Sequence, residues 1–226
     1  MTRPGIIIAI DGPSGAGKGT VARTIAGSLG YRHVDTGAMY RAVAWKARHD
    51  GVDLADAAAL ASVAANAAFE VNARVVIDGY DVTDEIRTPA IDEAAAVVAQ
   101  HPAVRAVLVE RQRRYAAGGG IVMEGRDIGS VVLPGAEVKV YLDADPGERA
   151  RRRSADAAHA AGRAIGRERV AEALEVRDRI DRTRTVSPLK MAPDAVYIDT
   201  THLGIGDVVE RVMELVDKAR KVRRET

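Results

Sequence analysis

The segment Gly12-Pro13-Ser14-Gly15-Ala16-Gly17-Lys18-Gly19-Thr20 has the residue types that cradle a polyphosphate. Glycines at 12, 15 and 17 let the backbone turn tightly and aim N–H groups inward. Lys18 brings one mobile charge within reach of the β- and γ-phosphates. A β-branched apolar run precedes the loop and a helical pattern follows it. That is the strand–loop–helix setting such a loop requires, and the helix N-terminus adds partial positive charge. One position departs from the common pattern: Gly19 follows the lysine and the hydroxyl arrives at Thr20. Thr20 therefore need not hold a metal ion as the usual hydroxyl does.

A loop of this kind serves switch GTPases, motor ATPases and small-molecule kinases alike. The base-reading Asn-Lys-x-Asp of GTPases is absent. Arginines are the next source of chemistry, because a guanidinium offers a rigid fork to phosphate and carboxylate. Of 33 basic residues 27 are Arg, an excess that compositional bias also produces, so only convergent arginines carry weight. They occur in Asp35-Thr36-Gly37-Ala38-Met39-Tyr40-Arg41, Glu85-Ile86-Arg87-Thr88, Gly125-Arg126-Asp127-Ile128-Gly129 and Arg177-Asp178-x-x-Asp181-x-x-Arg184. Thr36 and Arg41 open a helix, where an anion is favoured. Gly125 frees the backbone at the end of a strand, where open α/β sheets bind ligands. Arg177, Asp181 and Arg184, spaced i, i+4, i+7, share one helix face. On spacing alone a surface salt-bridge ladder explains that trio equally well, at about 0.3–0.5 kcal/mol per pair. Arg149, Arg152 and Arg153 form a second trio at i, i+3, i+4, and a solvated face is the better account of Arg149.

The elements that must position these residues follow from periodicity and punctuation. Strands are predicted at 5–11, 69–71, 75–77, 80–82, 121–124, 138–142 and 196–199. Helices are predicted at 18–29, 38–49, 54–67, 85–100, 103–117, from Pro146 onward, 169–184 and 205–222. Pro102 separates two of them. Asp145-Pro146-x-Glu148 is a helix start with an aspartate cap, a proline at the first position and a glutamate that bonds back. Residues 154–168, rich in Ala, Gly and charge, suit a mobile lid. Strands alternating with helices imply an α/β protein with a parallel sheet.

Composition narrows the remainder. With 47% hydrophobic and 29% charged residues the 226-residue chain is ordinary globular protein, neither collagen-like nor disordered. It is long enough for one sizeable core. There is no run of 18 apolar residues, and the stretch 6–10 is too short for a signal-peptide core. Cysteine is absent, which excludes disulfides, thiol nucleophiles and cysteine-ligated metals. A formal net charge of 33 − 32 = +1 gives no global pull toward nucleic acid. The basic tail from Lys218 to Arg224 reads as a helix end. His33, His49, His101, His159 and His202 lack metal-ligand spacing and read as structural or surface residues. Phe69, Trp45 and the methionines read as core. The expectation is a cytoplasmic monomer with no nucleic-acid or membrane partner.

Taken together, the phosphate loop and the four arginine-bearing segments resemble the bacterial cytidylate (CMP) kinases, of the nucleoside monophosphate kinase group of P-loop proteins. The resemblance runs from about residue 6 to residue 210. It implies a P-loop kinase fold over 1–226, with core segments 1–67, 101–153 and 169–226. A monophosphate-binding insertion would occupy about 68–100 and a helical lid about 154–168. The implied reaction is transfer of a phosphoryl group from ATP to CMP or dCMP with Mg²⁺, in pyrimidine nucleotide metabolism. The resemblance puts Gly12 to Thr20 and Arg152 on ATP, and Lys18, Arg126, Arg153 and Arg184 on the transferring group. Thr36, Arg41, Arg126 and Arg184 would surround the acceptor phosphate, Arg177 and Asp181 its ribose, and Arg105 and Asp127 its base. Two positions depart from the family: Ala96 stands where a base-holding Ser is common, and Glu124 stands where Asp usually precedes Gly-Arg-Asp. Thr20 and Glu124 are the candidate metal contacts. The alternatives are a pyrimidine-tolerant UMP/CMP kinase and a P-loop ATPase module without a small acceptor.

Overall fold

The computed structural model describes residues 5–72, 74–156 and 166–225. The chain runs β1 (Ile7–Asp11), α1 (Lys18–Leu29), β2 (Arg32–Asp35), α2 (Thr36–His49), α3 (Ala57–Asn66), β3 (Phe69–Val71), β4 (Val75–Ile77) and β5 (Tyr80–Asp81). A 3₁₀ turn (Glu85–Arg87), α4 (Pro89–Val98), α5 (Pro102–Ala116) and β6 (Ile121–Gly125) follow. A π-helical turn (Ile128–Val132) leads to β7 (Val138–Asp143), α6 (Pro146–Ala155), α7 (Arg167–Thr183), β8 (Val196–Asp199) and α8 (Ile205–Glu225).

The main sheet has the order β2-β6-β1-β7-β8, and all its pairings are parallel. Both faces are covered, as a parallel sheet requires. On one face Ile8 and Ile10 of β1, Val122 of β6 and Val138, Val140 and Leu142 of β7 pack against Val21 and Ile25 of α1 and Val208, Val212 and Val216 of α8. On the other, Ala9, Val34, Ile121 and Met123 meet Val109 of α5 and Ile128 and Val132 of the π-helical turn. A third apolar cluster joins α2, α3, α4 and α5 to β3 and β4 of a small antiparallel sheet. Because the main strands are parallel, their C-terminal ends open on one edge, where loops can converge on a ligand.

Several sequence expectations need correction. β2 was not foreseen: it is a four-residue edge strand in which only Val34 is buried, so it has no apolar run to reveal it. The helix expected over 85–100 is two elements. Thr88 caps α4 by accepting the Ile91 N–H, and Pro89 takes the first helical position, which stops continuation from the 3₁₀ turn. Asp145 caps α6 as expected, accepting from Gly147 and Glu148. Of the expected lid, residues 157–165 lie outside the described residues. Ser154 and Ala155 complete α6, and Arg167 and Glu168 begin α7. Met39 and Met123 are core, but Met191 is 40% exposed. Trp45 and Phe69 sit at the margin of the third cluster, Trp45 stacked on His49.

Ile8, fully buried at the centre of the sheet, tests this arrangement. Ile8→Ala should lower stability by about 2–5 kcal/mol through lost burial and a residual cavity. Urea unfolding followed by far-UV circular dichroism measures it. A loss under about 1 kcal/mol would contradict a close-packed β1.

Candidate active site

β1 delivers the chain directly into the phosphate loop. Gly12 has φ +144°, and a Cβ there would lie 1.9 Å from the Leu142 carbonyl oxygen of neighbouring β7. Only glycine lets the two strands stay in register at that point. Gly15 and Gly17 also have positive φ, and Gly17 precedes α1. Lys18 is buried and donates to the Pro13 carbonyl at 2.7 Å, folding its side chain back over the loop. Burial, and then the nearby Arg126 charge, pull its pKa down to about 7. Thr20 lies exposed on the first turn of α1.

A cleft of about 870 Å³ opens over this loop at the C-terminal edge of the main sheet. Every site residue expected from the sequence lines it except Gly12 and Pro13, which lie beneath. Asp35 caps α2 through the Ala38 N–H and holds Arg41 at 2.8 Å. Burial opposes the Asp35 charge, but Arg41 and the Ala38 N–H outweigh it and hold its pKa at about 2. Thr36 donates to the Glu124 carbonyl at 2.7 Å and so ties α2 to β6. Gly125 proves necessary for space, since a Cβ would come within 2.7 Å of both Thr36 Oγ1 and Ile128 Cδ1. The next two residues carry the centre of the cleft. Arg126 pairs with Asp181 at 2.9 Å, and Asp127 takes a hydrogen bond from buried Arg105. Arg184 lies between them, 3.5 Å from Asp181 and 3.7 Å from Asp127. Burial works against the Asp181 carboxylate, yet Arg126, Arg177 and Arg184 keep its pKa below the usual range.

The expected shared helix face is only partly realised. Arg177 and Asp181 belong to α7, but Arg184 is its cap residue with an extended backbone, and its Nε donates to the Ser187 carbonyl. Arg177 and Arg153 both pair with Asp92 of α4. Arg152 donates to the Thr200 hydroxyl and carbonyl at 2.9 and 2.6 Å. Arg149, expected on a solvated face, is instead 6% exposed. It donates to the carbonyls of Ala144 and Ser14 and pairs with Asp178, bracing the phosphate loop against α7. Spacing could not reveal this, because the face of α6 that meets the loop is set by tertiary packing.

Arg87 and Tyr40, which stand in the segments singled out above without a role of their own, also line the cleft, as does the loop from Thr200 to Ile205, which sequence reasoning passed over. That loop follows the C-terminal end of β8, which was the available signal. Tyr40 lies 5.6 Å beneath the Arg105 guanidinium, and burial pushes its pKa up to about 12. Donors are in surplus: Arg41 Nε, Arg105 Nε, Arg177 Nε and Arg184 Nη2 are buried without a hydrogen-bond partner. Groups of that kind cost stability unless a ligand satisfies them. Glu124 is buried, hydrogen-bonds His33 at 3.0 Å, and would stand 3.2 Å from a Cβ at Gly19. Among the described residues no three His, Asp or Glu side chains could hold a metal together. One carboxylate beside a phosphate loop does suit Mg²⁺, which takes one or two protein oxygens and leaves the rest to phosphate and water.

The cytidylate kinase family model matches residues 8–218. The chain is 51% identical over 220 residues to a cytidylate kinase of Pelotomaculum thermopropionicum, covering 95% of this chain and 97% of the relative. It is 50% identical over 218 residues to one of Geobacillus kaustophilus, covering 94% and 97%. Among solved structures, a gluconokinase from Sinorhizobium meliloti superposes with a TM-score of 0.52 at 15% identity, over 100% of this chain and 99% of that one. That likeness concerns the fold alone. The family match spans the phosphate loop, every arginine segment that lines the cleft and most of α8, and the chain belongs to the cytidylate kinase family.

Proposed function

We propose that this protein transfers the γ-phosphoryl group of ATP to CMP, and to dCMP, giving ADP and CDP or dCDP. The observation that carries the reading is the convergence of Arg41, Arg105, Arg126, Arg153, Arg177 and Arg184 with the phosphate loop on one cleft. Gly12 to Thr20 and Arg152 would hold ATP. Thr36, Arg41, Arg126 and Arg184 would receive the acceptor phosphate, Arg177 and Asp181 the ribose, and Arg105 and Asp127 the cytosine. Lys18, Arg126, Arg153 and Arg184 would neutralise the transferring group. Such transfer has a loose transition state, so positioning and charge neutralisation dominate. A general base is unnecessary, because a phosphate monoester with a second pKa near 6 is largely dianionic at neutral pH. Thr20 or Glu124, largely through water, would help hold Mg²⁺, which would supply charge neutralisation on the phosphates.

Within the insertion of about 68–100, the cleft is lined by Arg87 and by Ala95, Ala96 and Ala99 at α4, and not by β3 to β5. We assign the base cover to α4 on that ground, and the lid to about 154–168. The enzyme would work in the cytoplasm as a monomer. Among the described residues no helix is long and apolar enough to cross a membrane. A second reading, tolerance of UMP, is favoured by one observation: Ala96 lines the cleft with a methyl group and supplies no hydrogen bond.

Monophosphate acceptors offered with Mg-ATP, with ADP release as the readout, test the reaction. Release should depend on CMP, and release indifferent to any monophosphate would defeat the proposal. In the same assay Lys18→Ala should lower kcat about a hundredfold or more with the fold intact. Near-normal turnover would remove the loop from the chemistry.

Base choice has its own test. The Asp127 carboxylate accepts from the cytosine amino group, whereas uracil opposes it with O4. The unmutated enzyme should prefer CMP to UMP in kcat/KM, and Asp127→Ala should narrow the ratio. Equal values before mutation would support the UMP-tolerant reading.

Lys18 also makes ATP binding pH-dependent. With a pKa near 7 it is mostly neutral at pH 8 in the free protein. Phosphate charge favours its ammonium form, so binding should take up about one proton at pH 8 and progressively less below pH 7. Titration calorimetry in buffers of different ionisation enthalpy counts that proton, and Lys18→Ala should abolish it. Wild-type binding without proton uptake would exclude a neutral Lys18.

A further inference from the structure

Asp11 ends β1 and immediately precedes Gly12 of the phosphate loop. Its side chain is 4% exposed, and both carboxylate oxygens reach over to the loop after β6. Oδ1 accepts the N–H of Ile128 and Oδ2 that of Gly129, each at 2.8 Å. These residues directly follow Arg126 and Asp127 and begin the π-helical turn. At the far end of that turn Arg113 donates to the carbonyls of Val131 and Val132. The turn is therefore clamped at both ends, and Asp11 is the clamp on the cleft side.

Gly129 belongs to the Gly-Arg-Asp-Ile-Gly segment, yet no ligand role accounts for it. Its N–H is one of the two that Asp11 holds. A Cβ at Gly129 would lie 3.2 Å from Lys139 Cδ and at ordinary contact distance, 3.4 Å, from Asp11 Oδ2.

Stability is a poor reason for this group. No ion pair to Asp11 occurs among the described residues. Burial pushes its pKa up to about 6, although the two N–H bonds pull it down; Asp127 raises it further and Lys18 lowers it. A buried carboxylate held off its normal pKa costs the fold free energy. What it gains is position. β1 carries the donor loop and pairs with β6, with Asp11 opposite Gly125. One fork thus joins the start of the phosphate loop to the two residues that directly follow Arg126 and Asp127.

We infer that Asp11 is a positioning residue, whose carboxylate fixes Arg126 and Asp127 against the phosphate loop so that donor and acceptor meet in one geometry. The inference rests on the acceptor roles proposed above for Arg126 and Asp127. The phosphate loop has separate supports, the Gly12–Leu142 approach and the Arg149 bond to Ser14. Disturbing Asp11 should therefore fall mainly on the acceptor side.

Asp11→Asn keeps the shape but leaves one oxygen and one amide for two N–H donors. One N–H loses its acceptor and the turn must tilt. KM for CMP should rise about ten- to a hundredfold, and the CMP-over-UMP ratio should shrink. ATP affinity, measured by equilibrium titration without turnover, should fall much less than CMP affinity, because the phosphate loop keeps its own supports at Gly12 and Arg149. Asp11→Glu keeps the charge but moves both oxygens by one methylene, should show the same signature, and reports should Asp11→Asn fail to fold. Ile8→Ala is the control for lost stability and should leave the CMP-to-ATP ratio of KM values unchanged. Equal losses for CMP and ATP, or an unchanged KM for CMP in the Asp11 variants, would overturn the positioning role. If wild-type protein shows no CMP-dependent ADP release, the proposed reaction fails, not this inference alone.

Discussion

Charge neutralisation in the cleft is the constraint on which the rest of this structure depends. Guanidinium groups are drawn into a largely buried space, and an isolated buried cation is costly. Most are therefore held by a carboxylate: Arg41 by Asp35, Arg105 by Asp127, Arg126 by Asp181, Arg149 by Asp178, and Arg153 and Arg177 by Asp92. Buried pairs of this kind return little net stability, because desolvation offsets the Coulomb gain. They do impose geometry, since removing either partner strands the other.

That geometry links parts that apolar packing leaves separate. Asp35 ends β2, Asp92 lies in α4, Asp127 follows β6, and Asp178 and Asp181 lie in α7. The apolar clusters divide differently, with the two faces of the sheet in two of them and α2 to α5 in a third. α6 and α7 share only a small cluster built on Ala150, Val170 and Leu174. Arg149–Asp178 ties the two helices to each other. α6 reaches the body through the Arg149 bond to Ser14, α7 through Arg126–Asp181, and both reach α4 through the two arginines that meet Asp92. Arg126, Arg153 and Arg177 of these contacts also line the cleft.

How much of this the sequence discloses depends on whether a feature is local. The phosphate loop is legible because its glycines, lysine and flanking strand and helix are contiguous, and Asp145-Pro146 is legible because a cap needs only its own turn. β2 is not, since an edge strand with one buried residue has no periodicity to detect. Arg149 reads as a surface residue because nothing nearby in sequence indicates that Ser14 and Asp178 await it. Gly125 is read correctly as necessary but for the wrong reason: space beside Thr36 and Ile128, rather than backbone freedom, excludes a side chain. Asp11 left a usable trace, a charged residue ending a buried apolar strand, which physical cost marks as meaningful. The site arginines could be gathered from scattered segments only because their combined pattern resembles a family; spacing alone left a salt-bridge ladder equally acceptable.

The same charge constraint explains why the cleft is built from arginine and not lysine. A guanidinium has separate edges, so it can keep its protein carboxylate and still present donors to a ligand. Arg41 and Arg105 each use Nη2 for a carboxylate and keep a buried, unbonded Nε; Arg177 uses Nη1 and likewise keeps Nε. Arg184 spends Nε on the Ser187 carbonyl and Nη1 on Asp181, with Nη2 3.7 Å from Asp127 and in no hydrogen bond. An ammonium has a single head, and Lys18, held on the Pro13 carbonyl, must share or release that contact to reach a phosphate. Arginines can therefore remain anchored while the ligand arrives, which preserves the alignment that phosphoryl transfer requires. Lys18, the one lysine among the described residues that lines the cleft, stands at the phosphate loop, where reach matters more than fixed orientation.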